Sequence, residues 1–195
     1  MNQSHVALWW LPVGAGGHFV VHTSRLWEAI RARREHRAAH QLFHAALEVF
    51  ADRHRYVIEM TPAWGWHDKG RNVVATGPVL SPRLGRSRLF RYEVRCWDGG
   101  EIPDKAYAPV PPLLFSLGPE QAVSLVQRVA GVPRHVWGRD PGGTGDMWNS
   151  NSVVSWLLCA VDVDAAALVP PCDGSAPGWA AGVAIAGLGS PDSGI

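Results

Sequence analysis

From His44 the sequence takes up a period of two, and this alternation constrains the fold more than any other feature. Ala45, Leu47 and Val49 fall on one side of an extended segment, with Ala46, Glu48 and Phe50 on the other. Ala51-Asp52-Arg53-His54 reads as a turn, and Arg55-Tyr56-Val57-Ile58-Glu59-Met60 as the return strand. With Phe50 opposite Arg55, Ala46 lies opposite Glu59, so His44 and Glu59 become diagonal neighbours on one face. An imidazole beside a carboxylate is a general base beside the group that orients it. The plainer account makes His44 a capped strand start and Glu59 a solvent-facing acid.

The rest of the chain supplies partners for that hairpin. Val6 to Leu11 is a short apolar run closed by Pro12 and Gly14-Ala15-Gly16-Gly17, a buried strand entering a turn. No Lys-Ser/Thr pair follows these glycines, so they are not a phosphate loop. Further strands are expected at His18 to His22, near Asn72 to Thr76, and at Arg88 to Trp97, where Phe90, Tyr92, Val94 and Cys96 form one buried side. Pro109 to Pro112 belongs to a loop or a sheet edge. Helices are expected from Leu26 to Arg37, from Pro119 to a stop at Gly131, and from about Asn151 to Val161, with a last short element at Trp179 to Ile185. The fold class is therefore α+β, an antiparallel sheet packed against helices. Residues 1–187 form one domain and 188–195 a flexible tail.

Trp148-Asn149-Ser150-Asn151-Ser152 leads directly into the apolar run Val153-Val154-Ser155-Trp156-Leu157-Leu158-Cys159. A hydroxyl at the first turn of a buried helix meets amides and a dipole that favour developing negative charge, which makes Ser150 the candidate nucleophile. Asn and Ser also cap helices without doing chemistry. Ser152 is the alternative hydroxyl, turned about 200° from Ser150 on a helix. The preceding Asp140-Pro141-Gly142-Gly143-Thr144-Gly145 is a tight turn whose glycines would let amides approach an oxyanion.

Together, the segments from Leu42 to Val49, Tyr56 to Pro62 and Trp148 to Val154 resemble the circularly permuted NlpC-type, papain-like hydrolases, closest to the lecithin:retinol acyltransferase branch. In that group a His begins one hairpin strand, a polar residue on the next orients it, and an Asn-Cys pair at a later helix start supplies the nucleophile. The resemblance implies a papain-like fold with His44 as base, Glu59 as orienting residue, Asn149 before the nucleophile and Ser150 as the nucleophile. Trp148, Asn149, Asn151 and Ser152 would form the supporting and oxyanion region. Ser150 stands where the family has Cys. A serine needs an imidazolium stabilised by a carboxylate, and Glu59 supplies one. The implied activity is that of a serine-dependent acyl hydrolase or acyltransferase. It would act on an ester, thioester or amide of a small-molecule or peptide-like acyl substrate, through an acyl-enzyme and without a cofactor.

Charge and cysteine usage narrow the alternatives. Lys and Arg number 18 against 17 Asp and Glu, so the chain as a whole has no large field for nucleic acid or an anionic membrane. Cys96, Cys159 and Cys172 suggest neither a disulfide framework nor a zinc knuckle, and reduced thiols suit the cytoplasm. No apolar run reaches a membrane span, and no secretory signal is read at the start. Ten Trp residues lead to the expectation of an aromatic-walled groove. His36, His40 and His44 would align as metal ligands on one helix, but Arg37 stands where a zinc protease has its Glu, and no metal site is assigned. A second functional reading keeps the cleft as a ligand-binding site without turnover.

Overall fold

The computed structural model describes residues 4–14, 39–63 and 72–189, together with Glu28, Arg33 and His36. The alternating stretch forms β2 (Phe43–Ala51) and β3 (His54–Pro62), joined where Asp52 and Arg53 take left-handed backbone angles of 47° and 65° in φ. Two successive positive φ values are the backbone signature of a tight hairpin turn that matches strand twist. Pairing runs in the expected register from Ala51↔His54 through Phe50↔Arg55 to Leu47↔Ile58 and stops there, so the expected pair of Ala46 with Glu59 does not form. β1 (His5–Pro12) lies along the other side of β2, and β5 (Arg91–Asp98) along the other side of β3. β4 (Val73–Pro78) and β6 (Leu113–Ser116) take the edges, so the described strands form one antiparallel sheet in the order β4-β5-β3-β2-β1-β6.

The described helices are α1 (Pro119–Arg128), α2 (Ser150–Cys159) and α3 (Trp179–Leu188). Their apolar residues share a core with one face of the sheet: Leu8, Leu47 and Ile58 meet Leu125 of α1, Val154 and Leu157 of α2 and Trp179 of α3. This is an α+β architecture, built from the strand and helix periods in the sequence.

The second face of the sheet is covered as well. Leu11, Ala46, Val57 and Trp97 pack with Ile102, from the segment that follows β5. Glu48, 3% exposed on this face, accepts hydrogen bonds from Trp9 Nε1 at 2.8 Å and Lys105 Nζ at 2.9 Å. Lys105 also stands 4.5 Å from the centre of the Trp9 ring. A carboxylate this deep requires such partners. β5 therefore buries both sides, with Tyr92, Val94 and Cys96 on one and Arg95 and Trp97 on the other.

Three expectations are corrected or bounded. Arg88–Phe90 is a 3-10 turn, so β5 starts later than the alternation suggested. The element expected at Trp179 to Ile185 is a full helix that runs to Leu188, because α3 packs against α2. The strand expected at 18–22 and most of the helix expected at 26–37 lie outside the described residues, as do residues 190–195. His36 sits in a turn with φ 52° and His44 on β2, so the three spaced histidines do not share a helix. No helix among the described residues is long and apolar enough to cross a membrane.

α2 and α3 touch through their backbones. A Cβ built on Gly182 would stand 2.1 Å from Ser152 O and 2.1 Å from Ser155 Oγ. Gly182→Ala is expected to force the helices apart and cost about 1–3 kcal/mol. Gly187→Ala meets nothing within 4 Å and is expected to gain about 0.5 kcal/mol. Urea denaturation of the two variants checks this opposition of sign.

Candidate active site

The start of α2 is fixed by side chains that bond to backbone rather than to one another. Asn149 is the N-cap: its Oδ1 accepts from Asn151 N–H at 2.9 Å, and its Nδ2 donates to Pro177 O at 2.7 Å. Ser152 Oγ accepts from Asn149 N–H at 3.0 Å and donates to Gly178 O at 2.7 Å. Asp146 ties the same corner to α3, taking Gly178 N–H at 2.7 Å and Ala180 N–H at 3.3 Å. Gly178 has φ 93°, and a Cβ there would lie 2.1 Å from Asn149 Oδ1. Only glycine fits both the angle and the approach.

These bonds separate the two hydroxyls. Ser152 is wholly buried and its hydroxyl is committed to Asn149 and Gly178. Ser150 is 9% exposed, and among the described residues its Oγ makes no hydrogen bond. It is the first residue of α2, the position whose amide has no partner within the helix.

Asn151 joins this corner to the hairpin. The β2–β3 ladder ends at Leu47↔Ile58, leaving the outward backbone groups of Phe43 and Ala45 to find other partners. Asn151 Oδ1 accepts from Ala45 N–H at 2.7 Å, and its Nδ2 donates to Phe43 O at 3.0 Å and Pro177 O at 2.8 Å. One carboxamide thus stands in for a peptide group of a neighbouring strand. The residue after Ser150 is bonded to both residues that flank His44. No hydrogen bond joins Ser150 to His44 themselves among the described residues.

His44 is half-buried at the start of β2, opposite Leu11. Burial lowers its pKa below the ordinary 6.5, with the charge of Asp104 and the Ala45 backbone acting the other way. Asp104 belongs to the segment whose Ile102 and Lys105 cover this face. Glu59 is buried on β3 and lies across from Arg95 on β5. The Arg95 guanidinium in turn holds Glu93 at 2.6 Å. Thr61, two residues past Glu59 on the same side of β3, has a buried hydroxyl without a hydrogen-bond partner among the described residues.

Trp148 is fully buried, edge-on to His135 at 4.9 Å, and serves the core. The Asp140 loop is already occupied by its own carboxylate: Oδ1 takes the amides of Gly142 at 3.1 Å and Thr144 at 3.2 Å, and Oδ2 that of Gly145 at 2.7 Å. Desolvation pushes the Asp140 pKa up, but these amides outweigh it and the net shift is down. Its glycines therefore serve the turn, and the amides that the sequence offered to an oxyanion are taken. Sequence reasoning missed Asp104 and Asp146. Asp146 carries a signal, an acid shortly before an N-cap; Asp104 carries none, because its relation to His44 exists only in the fold.

Asn151→Ala would leave Ala45 N–H and Phe43 O without partners, and is expected to cost about 3 kcal/mol in urea denaturation. The His44 shift has its own signature. The unfolded chain takes up a proton near pH 6.5 that folded His44 resists, so stability is full above 6.5 and falls as pH drops towards the lower folded value. His135, also lowered by burial, acts in the same sense. Denaturation midpoints are expected to fall between about pH 7.5 and about 5.5, with a shallower fall in His44→Gln.

Compared with protein-family models, curated proteins and solved structures, the chain finds no match.

Proposed function

We propose that this protein is a serine-dependent acyl hydrolase or acyltransferase with Ser150 as nucleophile and His44 as general base. The observation that carries the reading is that, of the two hydroxyls at the start of α2, Ser152 is bound into the helix corner while that of Ser150 makes no hydrogen bond among the described residues. Support also comes from Asn151, the residue after Ser150, whose bonds to the backbone of Phe43 and Ala45 fix the helix start beside the strand segment that carries His44. The lowered pKa keeps the imidazole neutral at pH 7, the form a base requires.

In this mechanism His44 takes the Ser150 proton as Oγ bonds to the carbonyl carbon of an ester, thioester or amide. The oxyanion meets the Ser150 amide at the positive end of α2. The bond to the leaving group then breaks as His44 returns the proton to it. Water or an acceptor hydroxyl or amine, deprotonated by His44, releases the acyl group and regenerates the Ser150 hydroxyl. The carboxylate partner is Glu59, as in a Ser-His-Glu triad, or Asp104, whose charge reaches His44 from the covering segment. Loss of turnover in Glu59→Gln but not Asp104→Asn selects the first, and the reverse selects the second.

A fluorophosphonate is expected to form one adduct by intact mass, lost in Ser150→Ala and kept in a folded Ser152→Ala variant. Ser150→Ala should lower turnover of an accepted acyl substrate at least about a thousandfold and leave stability within about 1 kcal/mol. Retained labelling in Ser150→Ala removes the reading. The absence of a Ser150–His44 hydrogen bond favours a second one, a ligand-binding cleft without turnover, and no labelling of the wild-type protein would select it.

A further inference from the structure

Between β4 and β5 the chain leaves the sheet at Pro78 and returns at Arg91, its register partner. The excursion is closed by its own bonds and by the segment at Trp137: Val79 N–H donates to Phe90 O at 2.8 Å, Gly85 N–H to Ser81 O at 3.2 Å and Leu80 N–H to Trp137 O at 3.2 Å. The Arg91 guanidinium donates to the carbonyls of Gly85 and Arg86. A loop held by backbone bonds is free to present its side chains instead of burying them. Leu80, Leu84 and Leu89 are 56%, 41% and 65% exposed. From Val73 to Tyr92 the chain carries Arg83, Arg86, Arg88 and Arg91 and no Asp or Glu. The near balance of charge over the whole chain conceals this local excess.

Each half of the pattern alone has several explanations. Guanidinium groups suit any polyanion, and exposed leucines suit many partners. Leucines set among arginines without an acid fit an interface in which hydrocarbon lies directly beneath negative headgroups. A soluble polyanion would leave the leucines in water. A protein partner complementary to the arginines would have to pair acids with a surface that is apolar in three places.

We propose that the 80–89 loop docks this protein onto an anionic lipid surface, with the leucines entering the headgroup layer and Arg83 and Arg86 meeting phosphate and carboxylate groups. The loop lies at the end of the sheet that carries the candidate site. Arg88 Nε donates to Ala63 O, just past the end of β3, at 3.1 Å. Arg139, whose Nε lies 3.4 Å from Leu80 O, accepts at its own carbonyl from Trp148 N–H at 2.7 Å. Docking would therefore turn the corner that bears His44 and Ser150 towards the surface. The inference holds whether or not Ser150 is a nucleophile, since labelling in solution tests that separately.

The test is co-sedimentation of the full chain with vesicles of phosphatidylcholine alone and with about 30% phosphatidylserine. Wild-type protein is expected to bind the anionic vesicles at least about tenfold more tightly than the neutral ones, less so at higher salt. Leu84→Ser with Leu89→Ser, and separately Arg83→Glu with Arg86→Glu, should each weaken that binding about tenfold, with unchanged thermal midpoints. Equal partition onto both vesicles overturns the proposal. So does wild-type binding by the leucine variant, above all if a short DNA duplex competes, which would mark contact with a polyanion.

Discussion

A strand pair that stops early must give its backbone groups another partner, and in this protein a single carboxamide does so. Asn151 takes Ala45 N–H and gives a hydrogen to Phe43 O, where β3 would otherwise have continued the ladder. The helix start, the hairpin and the segment at Pro177 all meet on that side chain. Around it Asn149, Ser152, Asp146 and Gly178 hold α2 against α3 through bonds to backbone, which leave little freedom in angle or distance. Each group is buried and satisfied, the condition under which a polar network stiffens a core instead of weakening it.

The hairpin was the most legible part of the sequence. Its alternation fixed the Phe50↔Arg55 register because a slip by one residue would have moved Leu47 and Val49 out of the helix-packed core. The apolar run after Ser152 likewise marked α2, and Pro119 with Gly131 bracketed α1 and the 3-10 turn that ends it. What stayed hidden was tertiary. Arg95 alternates with the apolar side of β5, yet it is buried and Trp97 beyond it packs with Ile102, and nothing in the spacing announces a second layer. α3 was legible only as a short element because its Ala and Gly residues carry no stripe; packing on α2 makes it a helix.

The candidate site was legible as residue types and only partly as geometry. Ser150 lies at the first turn of its helix, as a cap-plus-apolar-run pattern requires. The distinction between Ser150 and Ser152 turned on which hydroxyl finds a backbone carbonyl, and Gly178 O lies far along the chain from both. Asp104 illustrates the same limit, since its influence on His44 depends on how the segment after β5 folds over the sheet. The glycine loop shows the reverse case. Its amides read as available, but the aspartate that opens the loop had already taken them.

The bond between Ala45 and Asn151 closes a span of 106 residues, and that of Glu48 with Lys105 a span of 57. Contacts of such separation form late in folding, because the entropy of closing a long loop must be met before they contribute. On a ribosome the hairpin emerges well before α2 and α3, with Leu47, Val49 and Ile58 uncovered until those helices arrive. The corner that bears Ser150 joins residues from β2 to the segment at Pro177, so its bonds can all be made only once nearly the whole described chain has been synthesised.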